Sequence, residues 1–299
     1  MIVMNILLNV IQALGVVLLA PLVAGMIKTA KARMQNRRGP KLFQVYFDLI
    51  KLLHKDSVVS PTVSWIFNLA PYIYFAGAVA AAALVPVSAS RSSGVGDIFT
   101  LIYLLALGRF FLVLASLDAG SAFGGMGGAR EMFIAVLVEP ALLLSMMTVA
   151  FKAQSTNLGL MASMVENSPL SLAYVFAAVA FFIVLLAETG RIPVDNPDTH
   201  LELTMIHEGM TLEYSARKLA LIFWASAVKQ LVMILLFVLL FLPGNVFGSE
   251  MFSGIVLKVL LVAMVIAIAE TSTNKLRLFK VPDFLAVSCL LSLLALVAQ

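Results

Sequence analysis

Cysteine and histidine are almost missing from this chain: a single cysteine, Cys289, and three histidines stand among 299 residues. That scarcity excludes a disulfide framework, a cysteine-held iron–sulfur cluster and a cysteine zinc site, each of which needs several thiolates. Redox chemistry, if any, belongs to partner chains. Charge is scarce too. Only 12% of the residues are charged and 62% are apolar, where a soluble domain carries roughly 25% and 45–50%. Twenty Lys/Arg and 16 Asp/Glu cannot cover the wet surface of a soluble fold of this length. The solvent for most of the chain is lipid.

Familiar catalytic spacings are also lacking. His200, Glu202, His207 and Glu208 cluster in sequence, but without an HExxH spacing they give no reason to expect a bound metal. The glycine run GGMGGAR, residues 124–130, has neither the GxGxxG nor the P-loop spacing, and reads as a tight turn or flexible re-entry rather than a phosphate cradle. No Ser or Cys nucleophile has a base beside it, so independent hydrolysis is not expected. The net charge of +4 does not point to nucleic acid, because cations in an apolar chain mark cytoplasmic loops. The N-terminal run lacks preceding cations and a small-residue cleavage site, so it is expected to be a retained first span.

What is present is a series of apolar runs. Eight approach the roughly 20 residues that a helix needs to cross a bilayer. They cover about 5–27, 65–87, 98–117, 131–151, 171–188, 219–242, 254–270 and 282–298. In lipid the backbone must satisfy its own hydrogen bonds, and the runs are too long and uniform for barrel strands. The expected fold is an all-α polytopic bundle of about eight transmembrane helices, forming one domain over residues 1–299, without repeats or linkers. Fifteen of the 20 Lys/Arg fall in the loops after spans 1, 3, 5 and 7. By the positive-inside tendency those loops are cytoplasmic and both termini lie outside. Within the first loop, KLFQVYFDLIKLLHKD places Leu42, Val45, Leu49 and Leu52 at helical spacing. This reads as an amphipathic helix at the lipid interface or as a docking surface for a partner.

Charge inside the membrane costs about 2.5 kcal/mol or more per residue, so each such group asks for a partner or a wet cavity. Arg109, Glu139, Glu188, Lys229 and Lys258 are in this position. Arg109 lies twelve residues past Asp97, about 18 Å along a helix, too deep to snorkel. It is expected to meet an acid on another helix. Glu131 and Glu139 are eight residues apart, separated by about 80° around a helix and about 12 Å in depth. They form either an acidic track or a structural pair with Arg109 or Lys229 that fixes helix register. After span 5, Glu188, Asp195, Asp198, Glu202, Glu208 and Glu213 crowd into one segment on the cationic side. Closely spaced, partly desolvated carboxylates have raised, coupled proton affinities, as a proton relay requires.

Several motifs resemble one family. QNRRGP and DLIKLLHKD in the first loop, AREMFIAVLVEPALLL in span 4, and AETGRIPVDNPDTHLEL with EYS after span 5 are similar, in order and spacing, to the quinone-site membrane subunit of respiratory complex I, subunit 1 or H, and its relatives in energy-converting hydrogenases. GRIPVDNPD in place of the complex I pattern NRxPFDxPE, with Glu131 and LGRFF around Arg109, resembles the formate hydrogenlyase and hydrogenase-4 type more closely. The resemblance implies a non-catalytic anchoring and energy-coupling subunit in a bacterial or archaeal inner membrane. Its implied partners are a nickel–iron large subunit and an iron–sulfur small subunit on the cytoplasmic face, and antiporter-like membrane subunits. This chain itself is expected to hold no cofactor. Arg37, Arg38, Gly39 and Pro40, with Arg130, match the partner-docking side, and Glu139 with the loop acids matches the coupling axis. A quinone site of complex I kind is the alternative. A self-contained transporter is disfavoured, since no pair of broken helices recurs in two halves. A passive anchor without coupling is the remaining possibility.

Overall fold

In the computed structural model, residues 2–86, 96–166, 171–196, 205–242 and 252–298 are described; for residues 2–8 and 252–253, and for 166, only the backbone is considered. The expected acids Asp198 and Glu202 lie outside the described residues. Among those described there are helices and no strands: α1 (Ile2–Met34), α2 (Gln44–Leu53), α3 (Trp65–Leu84), α4 (Ile98–Asp118), α5 (Ala122–Ala153), α6 (Leu158–Glu166), α7 (Leu172–Glu188), α8 (His207–Thr211), α9 (Ala216–Phe241), α10 (Phe252–Ser272) and α11 (Val281–Val297). Seven are long and apolar enough to cross a membrane, and α7 is a shorter apolar helix. These correspond to the eight expected spans. The protein is an all-α multi-pass membrane protein.

Local chemistry sets where the spans begin. Ser64, Asp97, Ser121 and Ser171 cap α3, α4, α5 and α7, each side chain accepting a bond from a first-turn backbone N–H. Asp118, at the end of α4, accepts from Ser64 N at 2.8 Å, Ser64 Oγ at 2.9 Å and Phe67 N at 3.3 Å, which pins α3 and α4 as a hairpin. Farther along the pair, Gly77 lies against the Leu104 carbonyl and Gly108 against Tyr74, so the backbones approach closely.

Helix α9 is the central element. It packs on α1, α3, α7 and α10, and 72% of its apolar window is buried, against 28% for the peripheral α11. Phe181, Phe237 and Phe241 interlock α7 and α9 with ring centroids 5.2–6.1 Å apart. Outward faces keep large apolar residues such as Leu14, Leu18, Phe133, Val136 and Leu294 exposed, as lipid solvation allows.

Two loops differ from or refine the expectation. The glycine run is helical, not a turn. Helix α5 has 32 residues, about 48 Å at 1.5 Å per residue, so it overshoots a hydrocarbon core of roughly 30 Å. Its glycine-rich first turns project beyond the span and lie against α8. A Cβ on Gly127 would sit 3.0 Å from the Ile206 carbonyl oxygen and 3.1 Å from Gly209 C, so glycine here serves backbone packing. The amphipathic α2 turns Leu49 inward while Phe43, Phe47 and Ile50 remain exposed, giving it a second apolar face beside the expected one.

Candidate functional site

The intramembrane charges converge. Arg109, on α4, is buried and spreads its guanidinium over three carboxylates: Nη1 lies 3.1 Å from Glu139, Nε lies 3.8 Å from Glu131, and Nη2 bonds Glu188. Lys229, on α9, reaches the same Glu188 oxygen at 2.8 Å. Four helices, α4, α5, α7 and α9, thus meet at one polar node. A planar fork with five donors suits Arg to this task, whereas Lys is a point charge. The acids differ in setting. The Glu188 side chain is 2% exposed, while that of Glu139 is 40% exposed on the outer side of α5.

A second node adjoins the first. Helix α7 ends in a Schellman motif: Gly190, at φ +60°, donates to Ala187 O at 3.1 Å, and Arg191 N donates to Leu186 O at 2.9 Å. Glycine adopts that left-handed backbone without penalty. The turn sends Arg191 into the bundle, where Nη1 meets Glu270 of α10 at 3.1 Å and Nη2 donates to Gln230 of α9 at 2.8 Å. Lys31 of α1 completes the group, 3.2 Å from Glu270. Lys229 and Gln230 are consecutive, so α9 contributes to both nodes.

Beside these nodes the segments that follow α7 and α10 are tied together by Asp195, which is buried. Its carboxylate accepts from Asn196 N at 2.8 Å, Ile206 N at 3.3 Å and His207 N at 3.2 Å, and it pairs with Lys275 at 2.7 Å. Leu276 N also donates to Pro193 O at 2.9 Å. Arg130 donates to Met205 O at 3.0 Å, securing the approach to α8 from α5. His207 contacts Ser226 of α9 through Nε2 at 3.2 Å, and Tyr74 of α3 reaches the same hydroxyl at 3.3 Å. Burial pushes the His207 imidazole below its ordinary value; Glu131 pulls it up, Lys229 pushes it down, and Asp195 and Arg109 act more weakly in the same opposed senses. Tyr214, stacked on Phe67 at 4.0 Å and donating to its carbonyl at 3.0 Å, has its phenol raised by burial and by Asp118.

Of the residues singled out in the sequence, Arg109, Glu131, Glu139, Glu188 and Lys229 therefore share one node, and Asp195 and Arg130 hold the segment above it. Glu213 is exposed and Glu208 half-buried. Lys258 lies elsewhere: its ammonium donates to Leu242 O at 3.3 Å, beside the far end of α9, where a cation complements the helix dipole. In the first loop, Arg37, Arg38 and Pro40 are exposed while Gly39 is pressed against Thr29 and Ala32 of α1. Lys31, Arg191, Gln230, Glu270, Lys275 and His207 escaped sequence reasoning as members of these networks. Lys31, Arg191 and Lys275 read as ordinary flanking cations. The one available signal was Glu270, an acid closing an apolar span next to a run of cations, Lys275, Arg277 and Lys280.

The comparisons fit this picture. Formate hydrogenlyase subunit 4 of Escherichia coli (strain K12) is 37% identical over 286 residues, 92% of each chain. Hydrogenase-4 component C of the same organism is 37% identical over 277 residues, covering 89% of this chain and 85% of that one. Among solved structures, a chain of the membrane-bound sulfane sulfur reductase, an archaeal respiratory membrane complex, superposes with a TM-score of 0.86 over 98% of this chain and 99% of its own, at 17% identity. The fold is thus shared well beyond the reach of sequence identity. The NADH dehydrogenase family model matches residues 6–299, and with its eight apolar helices enclosing a charged interior the chain belongs to that family.

Proposed function

We propose that this chain anchors a hydrogenase-type oxidoreductase complex in the membrane and couples electron transfer in peripheral subunits to movement of protons or other ions. One observation carries the reading: two adjoining nodes of mostly buried charge, linked through consecutive Lys229 and Gln230 of α9, sit inside an apolar bundle. The first node holds three acids and two cations, Glu131, Glu139 and Glu188 with Arg109 and Lys229. The second holds one acid and two cations, Glu270 with Lys31 and Arg191. In each node one carboxylate is shared between two cations, Glu188 between Arg109 and Lys229 and Glu270 between Arg191 and Lys31. Such a pair of nodes responds to a charge arriving at its cytoplasmic edge by shifting a proton or rearranging ion pairs, because each shared carboxylate can lean toward either of its cations.

The names of the relatives support the hydrogenase setting, with the nickel–iron centre and iron–sulfur clusters in peripheral partners and antiporter-like subunits in the membrane. Exposed Arg37, Arg38 and Pro40 supply a docking edge for those partners, on the face that the cation distribution marks as cytoplasmic. Both termini then lie outside. Family membership also supports a second reading, a quinone-site subunit. The test is purification of the complex in mild detergent followed by reconstitution in liposomes. A copurifying nickel–iron subunit and redox-driven ion movement that falls at least tenfold in Glu139→Gln, with assembly intact, are expected. Full ion movement in that variant overturns the coupling role. Activity with added quinone and no nickel–iron partner selects the second reading.

A further inference from the structure

His207 occupies a place that neither the sequence motifs nor the ion-pair nodes account for. It opens α8, its backbone N–H donates to Asp195 at 3.2 Å, and Gly190 at the end of α7 is close enough that an added Cβ would lie 3.8 Å from the His207 Cβ. Its Nε2 is 3.2 Å from Ser226 Oγ. That hydroxyl has one hydrogen, which is donated to Ile222 O at 2.9 Å. Ser226 Oγ is therefore the acceptor for both His207 and Tyr74, and the neutral imidazole carries its hydrogen on Nε2. The Nδ1 lone pair has no partner among the described residues.

We propose that His207 is the proton-accepting group that links the Asp195-held cytoplasmic segment to the intramembrane node. Uptake of one proton at Nδ1 turns imidazole into imidazolium, and loss from the same nitrogen restores the starting state; no other bond changes. The new charge faces Glu131 of α5, Lys229 of α9, Asp195 of the preceding loop and Arg109 of α4, with the Tyr74 phenol of α3 beside it. It attracts the two carboxylates and repels the two cations that compete for Glu188, so protonation at the cytoplasmic edge is felt as a redistribution of ion pairs inside the span. Burial supports this, since a group held below the ordinary imidazole value returns its proton readily near neutral pH.

The inference rests on the coupling role proposed above, and the experiment separates the two. In liposomes holding the intact complex, ions moved per electron pair are measured against pH for the wild type, His207→Gln and Ser226→Ala. The wild type is expected to lose coupling about tenfold per pH unit below a midpoint under the ordinary imidazole value of about 6.5. Glutamine keeps an N–H for Ser226 but cannot titrate, so His207→Gln is expected to abolish the step. Should that variant not assemble, Ser226→Ala decides, because removing the acceptor for Nε2–H destabilises imidazolium and moves the midpoint to lower pH. A step unchanged in His207→Gln, or a midpoint unmoved in Ser226→Ala, overturns the role of His207 alone. A wild-type complex that moves no ions overturns the coupling role and this inference together.

Discussion

At the scale of single residues, Arg109 decides whether the bundle holds. Removing one partner of a buried ion pair leaves the other charged and dry, at a cost of about 3–5 kcal/mol. Arg109→Leu leaves Glu188 to Lys229 alone and takes the cation from Glu131 and Glu139, so its stability in detergent is expected to fall toward that range or the chain to fail to accumulate. Arg109→Lys retains the charge but not the fork, and is expected to fall between. Glu188→Gln should cost more than Glu139→Gln, because the first side chain is 2% exposed and the second 40%, and solvent or a neighbour relieves the latter. His207 adds a pH dependence. Its folded-state proton affinity is lower than in the unfolded chain, so the unfolded state takes up the proton first, and stability falls as pH drops through the ordinary imidazole value of about 6.5. His207→Gln is expected to flatten that part of a thermal-stability profile.

At the scale of elements, the interface between α5 and α8 depends on two glycines meeting, with Gly127 Cα 3.4 Å from where a Gly209 Cβ would stand. Gly127→Val is expected to push α8 off α5 and expose the acidic segment to limited proteolysis while the spans stay folded. The spans themselves were legible in the sequence, since lipid leaves one element that satisfies its own backbone and its length is set by bilayer thickness. Arg109, Glu139, Glu188 and Lys229 were legible for a related reason: a charge in an apolar run declares itself. The glycine run was not, because hydropathy says nothing about how near two backbones come, and glycine marks turns and close contacts alike. Nor was the Lys31–Glu270–Arg191 node. Its members are far apart in the chain, the two cations look like normal flanks, and only tertiary packing puts them beside Glu270.

At the scale of the molecule, the loops at one end of the bundle are organised around one carboxylate. Asp195 accepts from backbone of its own loop and of the start of α8, and pairs with the Lys275 side chain from the connection between α10 and α11. Asp195→Ala is expected to speed hydrogen exchange in residues 192–196, 205–211 and 273–277 together, by an order of magnitude or more, and to leave α3 and α4 protected. Faster exchange confined to one of those segments would show that they do not open as a unit. The central helix carries a mechanical corollary. Lys229 and Gln230 are neighbours on α9, so they point about 100° apart around its axis, one serving Glu188 and the other Arg191. A small torsion of that shaft is therefore felt at both grips at once, which gears the two halves of the interior to each other.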